Sequence, residues 1–366
     1  MKRIAALMPT RNRAATAARA MTSFVDAVRA AAPGATLRLV VSDDSDAAIE
    51  SESLLTVVAD IKSLDPAIAV DIVARPADRA IERSILSPGT GPGAARNRAL
   101  EHLRNGPDDH DVLIMFDDDI CFTDVDYRGR RLRSEGPAVI REALGMCDLP
   151  TAVVGCEYVG RQDLSILEHI RLDKTGVSSM IAPALARANI ASMAPGGIST
   201  AFLAVAAPAW RLPDFPEHYN EDYVWLNALE LAGWPLLRTT SQLAHVPPGE
   251  VAVDSVALSY QVFGEIVWLA VLERKRYPLD QADSLARAVN EIVEDLRAAH
   301  REPRVVTKPT VYSVVSLVLH QYEALRADLT HENDSLTTSM IRRAILNGLN
   351  IKPLGLDSAN PVCRRR

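Results

Sequence analysis

The chain has 366 residues, 48% of them hydrophobic and 24% charged, with a formal net charge of −7. That length exceeds a peptide or a lone binding module and suffices for a well-buried core. The acidic balance argues against a general binder of nucleic acid or of anionic membrane, either of which needs clustered positive charge.

The first 120 residues alternate strand and helix signals. Ile4 to Met8 is a short apolar run stopped by Pro9, and Ala14 to Ala31 carries Met21, Phe24, Val25 and Val28 at helical spacing. Thr36 to Val41 is rich in branched residues and ends in Ser42-Asp43-Asp44-Ser45. Glu50 to Leu64 is predicted helical, Ala67 to Ala74 a third strand, and Gly93 to Leu103 a helix entered from a Gly/Pro loop. Val112 to Phe116 is a fourth strand that again ends in acids. Such alternation predicts βαβ units and a mostly parallel central sheet flanked by helices, an α/β fold. The middle is less regular, with strands predicted at Thr151 to Gly155 and Ser199 to Ala206 and a helix at Asn220 to Ala232. Beyond residue 252 long helical periods take over, at Val256 to Arg276, Leu279 to His300, Thr310 to Leu329 and Ser335 to Leu349. The expected division is therefore a domain over 1–252 and a helical C-terminal extension over 253–366. That extension is expected to pack on the domain through residues such as Ile266, Leu269 and Leu272 or to form a homodimer. Nothing in the sequence makes a run of about 18 apolar residues, so no integral membrane segment is expected. The four cysteines, Cys121, Cys147, Cys156 and Cys363, have no CxxC pairing, which suits reduced thiols in a cytoplasmic protein.

In parallel α/β sheets ligands bind beyond the carboxyl ends of the strands, so the polar groups there are the candidate site. Pro9-Thr10-Arg11 follows strand one, Asp43-Asp44 ends strand two, and Asp117-Asp118-Asp119 ends strand four. Acids at such ends accept from a nucleobase N–H or hold a metal. The glycine-rich start of the third helix, with Arg96, can cradle a diphosphate through free N–H groups and the helix dipole. Three adjacent carboxylates repel unless solvated or neutralised. If the strand stays extended, Asp117 and Asp119 point the same way and offer oxygens to one hard cation, Mg²⁺ or Mn²⁺.

These motifs together resemble the GT-A-fold glycosyltransferases, and most of all glycosyltransferase family two, over roughly residues 3 to 250. Pro9-Thr10-Arg11-Asn12-Arg13 resembles the opening "P-T-x-N-R", Asp43-Asp44 the "D-D-x-S" segment, and Gly93 to Asn97 the "G-x-A-x-A-R-N" helix start. Asp117-Asp118-Asp119 resembles the DxD motif, Gly196-Gly197 the acceptor-side "G-G", and Glu221-Asp222 the "E-D" that opens a helix.

The resemblance implies a metal-dependent enzyme, hexosyltransferase-like, that moves a sugar from a UDP- or GDP-linked donor to an acceptor hydroxyl. The acceptor would be a saccharide, a small metabolite or a peptide. It implies Pro9, Thr10 and Arg11 in the nucleotide pocket, Asp44 or Asp43 on the base, Arg96 toward the diphosphate, and Asp117 or Asp118 at the ribose. Asp119, with Asp117 and His245, would hold the metal, Gly197 and Glu221 would line the acceptor side, and Asp222 would be the catalytic base. One base opposite the leaving group implies inversion; a retaining enzyme or a nucleotidyltransferase are the alternatives. A dinucleotide oxidoreductase fits less well, because Gly89-x-Gly91-x-x-Ala94 does not directly follow a strand.

Overall fold

The computed structural model describes residues 2–46, 48–65, 67–75, 91–106, 110–160, 198, 201–216, 221–246 and 281–301, with isolated residues between 264 and 327. The first half of the chain forms β1 (Arg3–Thr10), α1 (Ala14–Ala31), β2 (Thr36–Asp43), α2 (Ala48–Leu64), β3 (Ile68–Ala74), α3 (Gly91–Arg104) and β4 (Val112–Phe116). Then come the short strands β5 (Ile120–Cys121), β6 (Val125–Tyr127) and β7 (Arg130–Leu132), followed by α4 (Gly136–Met146), β8 (Val153–Gly160) and β9 (Phe202–Val205). Finally α5 (Glu221–Leu231), β10 (Leu236–His245) and α6 (Gln281–Arg301) complete the described elements.

The eight-stranded sheet has the order β3-β2-β1-β4-β9-β8-β10-β5. Its first half, β3-β2-β1-β4, is parallel throughout. In the second half β8 and β10 are parallel, while β9 runs antiparallel to both β4 and β8, and β5 antiparallel to β10. The apolar runs are continuous because both faces are covered. In β1, Ile4, Ala6 and Met8 enter the core under α1, α2 and α4, while Ala5 and Leu7 enter the one under α3 and α5. In β4, Val112, Ile114 and Phe116 take the first face and Leu113 and Met115 the second. The expected apolar stripe of α1, Met21, Phe24, Val25 and Val28, is buried in the first core.

Pro9 does not stop β1: the strand runs through it to Thr10. Thr10 O accepts from Asp44 N at 2.9 Å, so alternation turns the Pro9 nitrogen toward β4, where pairing has already ended at Leu7. A proline there removes no ladder bond. The segment from 120 to 146 was not predicted as β5, β6, β7 and α4, and β10 was also missed.

On α6 the residues Val289, Ile292, Val293 and Leu296 are buried at helical spacing. Arg297 pairs with Glu323 at 2.7 Å and Arg326 with Glu294 at 3.2 Å, which ties α6 to Glu323 and Arg326. Ile266, Leu269, Leu272 and the last predicted helix lie outside the described residues. Among the described residues no helix is long and apolar enough to cross a membrane.

Candidate active site

The ends of β1, β2, β4 and β10 and the start of α5 bring the candidate residues to one rim. β1 delivers Pro9 and Thr10, and β2 delivers Asp43 and, just after it, Asp44. β4 ends at Phe116, and the chain then turns, with Ile120 N donating to Asp117 O at 3.3 Å. That turn is a departure from the expected extension. It sends the three carboxylates to different partners instead of aligning Asp117 with Asp119.

Asp117 accepts from Arg96 Nη2 at 2.7 Å. Asp118 accepts from Thr10 Oγ1 at 2.7 Å and from Arg13 Nη1 at 3.2 Å. Asp119 Oδ2 lies 3.7 Å from Arg13 Nη1, and Asp119 Oδ1 lies 3.2 Å from His245 Nε2. The histidine arrives through the sheet: β10 pairs with β5 so that His245 faces Ile120, and Val246 N donates to Asp119 O at 2.8 Å.

Arg96 is buried, with one guanidinium nitrogen on Asp117 and another on Glu221. Burial works against its charge, but Asp117, Glu221 and Asp222 outweigh that and raise its pKa. The helix that carries it is placed closely. Gly93 touches the 213–216 segment so tightly that a Cβ would stand 2.1 Å from Pro216 O. Asn97 donates to Phe215 O at 2.8 Å and accepts from Phe215 N at 2.6 Å. Phe215 in turn stacks on Trp225 of α5, its ring centroid 4.5 Å away, and Arg96 Cζ sits 5.5 Å from the Phe215 ring. Arg96 is therefore committed to the carboxylates on α5 and after β4.

The titrations follow from this crowding. Burial pushes Glu221 up to about 8, against the pull of Arg96. Burial likewise raises Asp222 to about 6, Arg96 lowering it and Asp117 raising it. Asp118 is pushed up to about 7 by burial and by Asp119, with Arg13 opposing. Asp117 is raised, by burial first and then by Asp119, despite Arg96. Asp119 goes the other way: burial works to raise it, but His245 and Arg13 outweigh burial and hold it below the usual carboxylate value.

At the end of β2 the two acids have different partners. Asp43 accepts from Ser45 N at 2.9 Å and from Ser51 Oγ at 2.6 Å, tying the β2 end to α2. Asp44 is buried and paired with Arg98 of α3. Arg11 reaches Asp46 at 3.0 Å, which also accepts from Asn12 Nδ2 at 3.1 Å and Arg75 at 3.2 Å. Gly197 lies outside the described residues. Arg13, Arg98 and Asp46 were not singled out from sequence. Arg13 stood within a quoted motif, but its partners lie more than a hundred residues away and no local pattern names them.

Among the described residues no three His, Cys, Asp or Glu side chains are gathered so as to hold a metal by themselves. The pair Asp119 and His245 does converge. Asp119 Oδ1 is buried, and its neighbour among the described residues is the imidazole of His245, 3.2 Å away. A buried carboxylate oxygen facing an imidazole nitrogen fits a divalent cation held between the two that takes its other ligands from a bound phosphate.

No protein-family model matches the chain, and no curated protein does. Among solved structures it is similar to a mannosyltransferase from Pyrobaculum calidifontis in complex with GDP-Man and Mn²⁺, at 13% identity and a TM-score of 0.45, covering 95% of this chain and 87% of that one. It is also similar to a glucosyl-3-phosphoglycerate synthase from Mycobacterium tuberculosis in complex with Mn²⁺, UDP and phosphoglyceric acid, at 14% identity and a TM-score of 0.41, covering 73% and 78%. A third is a mannosyl-3-phosphoglycerate synthase from Rubrobacter xylanophilus, at 17% identity and a TM-score of 0.41, covering 76% and 77%. At these values the likeness is one of chain path and assigns no residue a role.

Proposed function

We propose that the chain is a metal-dependent glycosyltransferase that moves a sugar from a UDP- or GDP-sugar to an acceptor hydroxyl with inversion. Residues 1–252 would be the catalytic domain and 253–366 a helical extension packed on it. The observation that carries the reading is the division of labour among the acids at one rim. Asp119 stands beside His245, while Asp117 and Glu221 are bound to Arg96. Asp222 heads α5 at the edge of that cluster with a pKa of about 6.

Asp119 and His245 are the residues that would hold the cation. When bound, a divalent cation supplies positive charge where the leaving diphosphate gathers negative charge. Asp117 stays with Arg96, which fixes its position and that of Glu221. Asp44, buried at the end of β2, and Thr10, at the end of β1, would line the nucleotide pocket. Asp222 is the proposed general base. With a pKa near 6 it is ionised at neutral pH, yet more basic than an ordinary carboxylate, as proton removal from a hydroxyl requires. Glu221, drawn to Arg96, is kept out of that task.

A donor-hydrolysis screen over nucleotide-sugars with Mn²⁺ tests the reading. One UDP- or GDP-sugar should be cleaved, the cleavage should stop with chelator, and the released sugar should have the inverted anomeric configuration. If no sugar donor is cleaved and NAD alone raises the melting temperature, the reading falls.

A further inference from the structure

Four arginines approach this rim, and three are engaged away from the Asp118–Asp119 pair. Arg11 turns to Asp46, Arg96 lies between Asp117 and Glu221, and Arg98 meets Asp44. Among the described residues only Arg13 bridges Asp118 and Asp119, with Nη1 3.2 Å from Asp118 Oδ1 and 3.7 Å from Asp119 Oδ2. The two acids keep only 6% and 8% of their side-chain surface, whereas the arginine over them keeps 40%. Its backbone is fixed at the N-terminus of α1, where its carbonyl accepts from Ala17 N at 2.9 Å. Its side chain makes no capping hydrogen bond to α1.

Asp119 is thus bracketed, with Arg13 against one carboxylate oxygen and His245 beside the other. A divalent cation on Asp119 would meet the guanidinium across a single carboxylate. At such separation like charges repel, the more so because the two acids are buried. We propose that Arg13 is a displaceable counterion. In the absence of donor it neutralises the Asp118–Asp119 pair, and when a cation binds there it turns to the diphosphate of the nucleotide.

This inference rests on the metal and diphosphate reading above. It makes Arg13 a positioning residue that couples the two ligands. The cation must displace the guanidinium, and the diphosphate gives the guanidinium a new anionic partner, so each ligand favours the other. The planar fork of arginine suits both a carboxylate and a phosphate, which lets one side chain serve both states.

The test is a calorimetric Mn²⁺ titration of the full chain, with and without UDP or GDP, for wild type, Arg13→Met and Arg13→Lys. Without nucleotide, Arg13→Met should bind Mn²⁺ about tenfold more tightly than wild type, because the competing charge is gone. With saturating Mn²⁺ it should bind the nucleoside diphosphate about tenfold more weakly, having lost a charge-assisted contact. Arg13→Lys, which keeps the charge, should stay near wild type in Mn²⁺ binding. Unchanged or weaker Mn²⁺ binding by Arg13→Met, with wild type binding both ligands, overturns this inference alone. Absence of Mn²⁺ and nucleotide binding in wild type overturns the glycosyltransferase reading as well. Should Arg13→Met fail to fold, Arg13→Gln is judged by the same two affinities.

Discussion

Replacing Arg96 with methionine removes the cation around which Asp117, Glu221 and Asp222 are arranged. The side chain is buried, and so is Glu221, so the loss is not screened by water. Breaking a buried ion pair from one side costs about 3–5 kcal/mol, because the partner is left as an uncompensated charge. Here two direct carboxylate partners are left, but they can take protons, and the cost therefore depends on pH. Glu221 already titrates at about 8 and Asp222 at about 6 with Arg96 present, and removing the cation raises both further. A carboxyl whose folded pKa lies above its unfolded value costs stability once pH exceeds the unfolded value. That cost grows until pH passes the folded value. The deficit of Arg96→Met should accordingly be small near pH 5 and reach about 3–5 kcal/mol by pH 8 and above. Urea unfolding of both proteins at pH 5, 6.5 and 8 measures it. A deficit below about 1 kcal/mol at pH 8, or one larger at pH 5 than at pH 8, would refute the cluster as described.

Asp222→Asn should lower the turnover number by a factor of about 10² to 10⁴ while leaving donor binding intact, as loss of a general base does; steady-state kinetics with the donor found in the screen decides it. Asp119→Ala should abolish both Mn²⁺ binding and transfer while the fold survives, and calorimetry with circular dichroism checks each half; full activity would remove Asp119 from the metal. Gly93→Ala drives a Cβ to within 2.1 Å of Pro216 O, so α3 or the 213–216 segment must shift. It should cost about 1–3 kcal/mol in thermal unfolding and slow transfer through the displaced Arg96. Ser51→Ala removes the 2.6 Å hydrogen bond to Asp43 and should cost about 1 kcal/mol, read from the same melting curves.

Periodicity alone laid out β1-α1-β2-α2-β3-α3-β4, because strands covered on both faces and helices with one apolar stripe each leave a local signature. The stripe of α1 and the run Val112 to Phe116 are found where the sequence puts them. The same local chemistry marked Thr10, Asp44, Arg96 and Asp117 to Asp119 as polar groups at element ends, while Glu221, Asp222 and His245 came only with the resemblance to the glycosyltransferases. It could not find β10, whose core side is built from residues as mixed as Thr239, Ser241 and Leu243, or the short strands after Ile120. Those depend on pairing partners distant in the chain.

What only the tertiary structure decided is which charge meets which. From sequence, Arg96 is expected to face a diphosphate. In the fold, Gly93 against Pro216 and Asn97 against Phe215 bring α3 to α5, and Arg96 is spent on Asp117 and Glu221. From sequence, Asp117 and Asp119 belong on one cation; in the fold the turn after β4 gives them different partners, Arg96 for one and Arg13 for the other, and the β10–β5 register sets His245 beside Asp119. Arg13 had no visible partner along the chain, since the nearer of its two acids, Asp118, is 105 residues away. Residue type and spacing fix which groups carry charge and on which element they stand. The pairing of those groups is set by the energy of burying them, and that energy exists only once distant segments have packed together.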